Sequence, residues 1–203
     1  MKRSIVGLFF MFVPLGGFSH QPDTISGIVA FVATNDYRTC FGLTNDIDRV
    51  MSATTGVLER STCKLVKASI LFDHSVNMVC EDSFACATNL CREIEADLAG
   101  RTAWQRVAAL CKFTNAMIED GHPEVAFNSS TNLLTEFQGV ECPASDTNVW
   151  NVLFKPGGLD AMPLLGFIKA SAAAAQHEMD PCADLTFYTN GIPQEVIREI
   201  IEK

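Results

Sequence analysis

Eight cysteines downstream of a short apolar N-terminal segment constrain this chain more than any other feature. They are Cys40, Cys63, Cys80, Cys86, Cys91, Cys111, Cys142 and Cys182. An even number of cysteines in an exported chain is typical of disulfide bonds, because such bonds persist only in an oxidising compartment. We therefore expect covalent cross-links to reinforce the fold, provided that the chain is exported.

The N-terminal segment has the features of a signal peptide. The basic start Met1–Arg3 precedes an apolar run that ends at Phe18, and Ser19 offers a small residue for cleavage. The run is shorter than the roughly 20 apolar residues of a spanning helix, so we favour a signal peptide over an uncleaved membrane anchor. We predict a signal peptide over residues 1–19 and one disulfide-rich helical domain over residues 20–203, with no membrane span after cleavage. The expected location is extracellular, or periplasmic in a bacterial host.

The charge of the chain is acidic, which restricts its partners. The formal net charge is −9, and loss of residues 1–19 removes two cations and no acid, which leaves −11. An acidic surface repels phosphate backbones and anionic lipid headgroups, so we expect no nucleic-acid partner. Paired C-x-x-C ligands, a C-x-x-C-H haem site and a glycine-rich phosphate loop are absent from the sequence. We therefore predict neither a metal site nor a cofactor.

The spacing of apolar residues is helical nearly throughout the chain. It predicts an all-α fold, a disulfide-stapled helical bundle of six to eight helices. Turn residues near Arg60–Thr62 and Gly100–Arg101 predict two antiparallel helix hairpins. Capping and stop signals predict helices over residues 44–59, 63–79, 84–98, 102–120, 131–138, 147–154, 160–178 and 193–202.

The second hairpin allows one disulfide to be derived from geometry. Residues that face each other across this hairpin have numbers that add to about 201, because the two helices have the same rise per residue. Cys91 and Cys111 satisfy this condition, so we predict that they are bonded. The same construction on the first hairpin predicts the bond Cys40–Cys80. Two further bonds, Cys63–Cys86 and Cys142–Cys182, are assigned without a geometric basis.

A bundle of this kind is typical of a binding protein. Helical bundles often place ligand cavities between facing helices. We predict a non-catalytic protein that binds either a hydrophobic small molecule or lipid, or another protein through a helix face. A carrier requires a continuous apolar cavity of at least about 300 Å³, whereas a protein-binding module requires a filled core and an exposed apolar patch. The candidate cavity-lining residues are Phe72, Phe113, Met117 and Phe167.

A hydrolase-type enzyme is the alternative. It requires His74, His122 or His177 to meet a carboxylate in one cleft. Asp73 cannot orient its neighbour His74, because adjacent residues on a helix point about 100° apart. The acidic residues around Gly121 could form a weak metal site, but we favour a solvated turn. We therefore assign no catalytic residue.

Asn128 begins the N-glycosylation sequon Asn128-Ser129-Ser130. The polar residues from Phe127 to Thr131 predict a loop there, so Asn128 is expected to be glycosylated in a eukaryotic host.

Overall fold

In a computed structural model, the chain is helical and contains no strand in the part that the structure describes, namely residues 23–78, 80–136, 164–194 and 197–198. This confirms the predicted all-α class. The predicted signal peptide, Cys142 and the helix predicted at 147–154 lie outside these ranges. Five side chains within the ranges are also not among those described: Tyr37, Val76, Glu136, Leu164 and Phe167.

Nine helices are found in these ranges, and seven of them have ten residues or more. Consecutive helices from α4 to α8 pack against each other, and α8 also packs against α6. No helix within the described ranges combines the length and apolar content needed to cross a membrane. The helices are α1 (Ile25–Thr34), α2 (Tyr37–Phe41), α3 (Thr44–Ala53), α4 (Val57–Met78), α5 (Glu81–Asp97), α6 (Trp104–Glu119), α7 (Pro123–Glu136), α8 (Leu164–Met179) and α9 (Thr186–Thr189).

The helix predicted over residues 44–59 is two helices. The main chain is extended at Thr54, with φ −90° and ψ 127°, and α4 begins at Val57. The turn before α4 therefore lies at residues 54–56. The prediction of a turn at Arg60–Thr62 is wrong.

Residues 60–62 lie inside α4, because the hydroxyls of Ser61 and Thr62 form hydrogen bonds within the helix. The hydroxyls of Ser61 and Thr62 donate to carbonyl oxygens one turn earlier, at 2.8 and 3.0 Å. Such bonds compete with turn formation, so these residues do not end a helix. The proposed Cys40–Cys80 bond thus loses the turn from which it was derived.

The hairpin of α5 and α6 has the predicted position and register. Arg106 on α6 donates from Nε to Glu95 Oε2 on α5 at 2.8 Å, and these two residue numbers add to 201. Helix α6 begins at Trp104 rather than at residue 102, and the side chain of its N-cap residue Ala103 makes no capping hydrogen bond. Packing of the two helices, rather than a side-chain cap, therefore determines where α6 begins.

The core of the bundle is formed mainly by the facing stripes of α4, α5 and α6. On α5, a stripe formed by Ala87, Cys91 and Ile94 is buried, while Cys86 is exposed. Burial of such apolar side chains stabilises the bundle by about 25 cal/mol per Å². Other core residues with no exposed surface are Leu65, Val66, Leu98 and Val107.

We expect Gly100→Ala to destabilise the protein by about 1 kcal/mol. Gly100 adopts φ +72° in the turn between α5 and α6, a conformation that costs an L-residue about 1–2 kcal/mol. Gly42→Ala is the matched control, because Gly42 has φ −61° and its added Cβ meets only an ordinary contact at 3.4 Å. Urea unfolding followed by circular dichroism measures both changes. Equal destabilisation by the two substitutions would contradict this explanation.

Candidate functional site

A cavity of about 600 Å³ lies where the connection between α4 and α5 meets the C-terminal end of α6. Two features of the chain place it there. The main-chain N–H of Cys80 donates to the Ser75 carbonyl at 3.1 Å, which holds Cys80 against the end of α4. The antiparallel register of α5 and α6 brings Asp120 level with Glu81. The lining residues are Phe72, Ser75, Cys80, Glu81, Phe84, Ala116, Glu119 and Asp120.

One wall of the cavity is aromatic. The rings of Phe72 and Phe84 pack edge to face, with centroids 5.8 Å apart and an interplanar angle of 69°. Ala116 on α6 contributes only a methyl group, which leaves space next to the rings. This wall offers dispersion contacts and hydrophobic burial to an apolar molecule.

The mouth of the cavity is acidic. Glu81, Glu119 and Asp120 all line it and are exposed. Glu81 lies in the first turn of α5, where the helix dipole favours a carboxylate, but Glu119 and Asp120 lie at the C-terminal end of α6, where it opposes one. His122 Nε2 lies 3.5 Å from Asp120 Oδ2, a contact that compensates this charge only when the imidazole is protonated. The mouth therefore has a negative potential that favours cations.

Cys80 ends a hydrogen-bonded chain that starts on α4. The Ser83 hydroxyl donates to Cys80 Sγ at 3.4 Å, and His74 Nδ1 lies 2.9 Å from Ser83 Oγ. A serine hydroxyl has one hydrogen, so when it donates to sulfur its oxygen must accept from a protonated His74 Nδ1. The Phe41 ring stacks on His74 with centroids 3.9 Å apart and fixes the plane of the imidazole.

The environment of Cys80 lowers its pKa below the ordinary thiol value. The largest cause is the hydrogen bond from the Ser83 side chain, followed by the Ser83 main-chain N–H, while the negative charge of Asp82 acts in the opposite direction. Cys80 is the N-cap of α5, a helix of 17 residues. Helix N-termini stabilise thiolates through the same N–H groups.

Four other thiols have the opposite environment. Burial raises the pKa of Cys40 and of Cys63 to about 11, and that of Cys91 and of Cys111 to about 12. These groups are therefore neutral thiols when they are not bonded to one another.

No two cysteine sulfurs among the seven described lie at disulfide distance. Lys64, the neighbour of Cys63, reaches Asp97 Oδ2 at 2.8 Å. Cys63 is therefore beside the C-terminal end of α5, whereas Cys86 is eleven residues before Asp97, about 16 Å along the helix. The Cys63–Cys86 assignment has no support in this register, and the Cys91–Cys111 bond stays a prediction.

Of the predicted lining residues, Phe113 packs against the apolar clusters that contain Phe72 and Met117. Phe72 lines the cavity. Phe113 is half-buried and packs against the core, and Met117 is buried in a second apolar cluster with Ala126 and Ala175. The Phe167 side chain lies outside the described part of the chain. The lining of the described cavity is thus partly aromatic and partly acidic.

The three candidate histidines occupy different places. His74 meets the Ser83 hydroxyl, His122 is exposed at the acidic turn, and His177 is half-buried in the last turn of α8. In the described part of the chain, no three His, Cys, Asp or Glu side chains are grouped so that they could hold a metal ion.

Asn128 is exposed but lies within α7. The prediction of a loop from Phe127 to Thr131 is wrong because the Ser130 and Thr131 hydroxyls donate to carbonyl oxygens of the same helix at 3.0 and 2.9 Å. Glycosylation of Asn128 stays a prediction.

Sequence reasoning assigned Cys80 only to a disulfide bond and missed its contact with Ser83. Their spacing of three residues at a predicted helix start is the signal that could have identified them, because the side chain at an N-cap faces the residue three positions later. In comparisons with known proteins, the chain matches no family model, no curated protein and no solved structure.

Proposed function

We propose that this protein is a secreted binding protein for a small amphiphile with an apolar body and a neutral or positively charged head. The observation that supports this function is the cavity of about 600 Å³ with an aromatic wall and an acidic mouth. Small-molecule sites have volumes of about 300–1,000 Å³ and combine apolar walls with a few polar groups. The cavity between α4, α5 and α6 has both properties.

The head group of the ligand follows from the charges at the mouth. Three carboxylates and the C-terminal end of α6 all attract a cation and repel an anion. A fatty acid, which presents a carboxylate, is therefore a poor ligand, whereas an alkylamine of equal length is a good one. The ligands proposed for the hydrophobic carrier expected from the sequence are thus restricted to molecules without negative charge.

We also propose export, with Cys91 and Cys111 bonded in the mature protein. Both residues are buried on facing stripes of α5 and α6. The ion pair of Glu95 with Arg106 establishes the register in which these two cysteines are nearly level. A bond between them would link the two helices that form one side of the cavity.

The expected result of a binding test is selection by charge. N-phenyl-1-naphthylamine is neutral, and its fluorescence in an apolar site reports occupancy. We expect dodecylamine to displace it at about tenfold lower concentration than dodecanoate, which corresponds to about 1.4 kcal/mol. Equal displacement by the amine and the carboxylate would contradict the proposed ligand class.

Two matched pairs of variants place the binding in this cavity. Ala116→Leu fills space next to the aromatic wall and should weaken probe binding, whereas Ala85→Leu changes an exposed position of α5 and should not. Glu119→Gln should reduce the preference for the amine, whereas Glu124→Gln, an exposed residue beyond the turn, should leave it unchanged. Equal effects within either pair would place the binding elsewhere.

A further inference from the structure

The hydrogen bonds between His74, Ser83 and Cys80 share one direction when His74 carries its hydrogen on Nδ1. In that tautomer, His74 Nδ1–H donates to Ser83 Oγ, and the Ser83 hydroxyl donates to the sulfur of Cys80. Since each hydrogen points toward the sulfur, the chain stabilises a negative charge on it more than a neutral thiol. This arrangement is the one that an activated cysteine requires.

The sulfur of Cys80 is also accessible to a bound molecule. Cys80 lines the cavity and is partly exposed, whereas Cys40, Cys63, Cys91 and Cys111 are buried in the core. Reactive cysteines combine thiolate character with access, and burial without charge partners makes a thiol inert. In the described part of the chain, Cys80 has both the hydrogen-bond donors and the cavity.

We propose that Cys80 is the nucleophile of a thiol–disulfide exchange site for small neutral or cationic disulfides. The Cys80 thiolate attacks one sulfur of the entering disulfide, a new S–S bond to Cys80 forms, and the other half leaves as a thiolate. The leaving group takes up the proton that Cys80 released. Cys80 is oxidised while the small disulfide is reduced, so the step needs no additional oxidant. The choice of charge rests on the proposed function, because the same carboxylates form the mouth.

Ser83 and His74 are positioning residues in this proposal. Ser83 is buried and directs its hydroxyl at the sulfur, and His74 is held in plane by Phe41. Four carboxylates face the same region and oppose the thiolate: they are Asp82 and Glu81 on α5 and Glu119 and Asp120 at the end of α6. The hydrogen bonds must therefore outweigh these charges.

The first experiment determines the state and the reactivity of Cys80. The native protein, never exposed to reductant, is treated with iodoacetamide and mapped by peptide mass spectrometry. We expect Cys80 to be alkylated about tenfold faster than Cys86, because the proposed hydrogen bonds activate Cys80. Cys86 is the exposed thiol on the same helix. Recovery of a Cys40–Cys80 disulfide, or alkylation of Cys80 no faster than that of Cys86, would overturn the proposal.

The second experiment tests the substrate class. The protein is treated with cystamine, hydroxyethyl disulfide or dithiobis(nitrobenzoate), which are cationic, neutral and anionic disulfides. We expect mixed-disulfide formation at Cys80, relative to Cys86, to decrease in that order. Fast reaction with all three would support the nucleophile and contradict the acidic selection of the proposed function. Charge-selective binding of dodecylamine with an inert Cys80 would contradict the nucleophile alone.

Ser83→Ala separates a positioning role from a purely structural one. It removes the hydroxyl and should slow iodoacetamide alkylation of Cys80 about fivefold at neutral pH, the value of one ordinary hydrogen bond. It should also displace the pH profile of alkylation upward. Ser83→Thr keeps a hydroxyl and should restore both rate and profile. An unchanged profile in Ser83→Ala would show that Ser83 does not act on the sulfur.

Discussion

Replacing Glu95 by glutamine should lower the free energy of unfolding by about 2–3 kcal/mol. Arg106 Nε and Nη2 each donate to one carboxylate oxygen of Glu95, and the Arg106 side chain is only 9% exposed. Two-point contacts of this kind are the strong form of an ion pair, and Glu95→Gln removes the negative charge that faces a largely buried guanidinium. Urea unfolding at neutral pH measures the change.

Glu93→Gln is the matched control on the same helix. Glu93 is 56% exposed, and its partner Lys64 retains a second carboxylate, Asp97, at 2.8 Å. Exposed pairs contribute about 0.2–1 kcal/mol, so this substitution should cost less than 1 kcal/mol. A destabilisation by Glu95→Gln no larger than that by Glu93→Gln would show that the pair with Arg106 does not hold the α5–α6 hairpin.

The same ion pair shows which part of the fold the sequence could predict. Both arms of the α5–α6 hairpin have long apolar stripes, and Gly100 supplies a positive φ between them. The register therefore followed from equal rise on two helices and needed no tertiary contact. The prediction of the earlier hairpin was wrong because Ser61 and Thr62 can either form a turn or donate hydrogen bonds to carbonyl oxygens of their own helix. Local sequence does not choose between these two arrangements.

The candidate site was predictable only in its outline. The register of α5 and α6 alone places Glu81 near Asp120, and therefore gives the acidic mouth. His74 was considered next to Asp73, its neighbour in sequence, whereas its partner Ser83 belongs to the next helix. That contact depends on the exact crossing of α4 and α5, which packing determines rather than periodicity. Chemistry formed between two helices is therefore harder to predict than either helix.

In the reduced, folded protein, Cys91 and Cys111 should react with iodoacetamide at least about 10³ times more slowly than Cys86. Burial raises the pKa of both thiols to about 12. At neutral pH, a pKa about three units above the ordinary thiol value reduces the reactive thiolate by about 10³. Cys86 on the same helix is exposed and serves as the internal control. Comparable labelling of all three in the folded protein would contradict the burial.

Unfolding the protein without reductant distinguishes a thiol pair from the proposed disulfide. Two free thiols become reactive as soon as urea exposes them. A Cys91–Cys111 bond, by contrast, leaves both unlabelled in urea until a reductant is added, and the peptide map then shows one linked pair. Prompt labelling in urea would contradict the bond and, with it, the argument that this protein functions after export to an oxidising compartment.

The pH dependence of stability provides an independent test of whether Cys91 and Cys111 are buried thiols in the reduced protein and bonded in the oxidised one. The folded pKa of each reduced thiol is raised from about 9 to about 12, so the unfolded state loses its protons first as the pH rises. The stability contributed by these neutral thiols is complete below about pH 9 and is lost progressively toward pH 12. A Cys91–Cys111 disulfide has no proton to lose. The difference in urea midpoint between the oxidised and reduced proteins should therefore grow with pH, whereas a constant difference would mean that these two sulfurs are not buried thiols in the reduced fold.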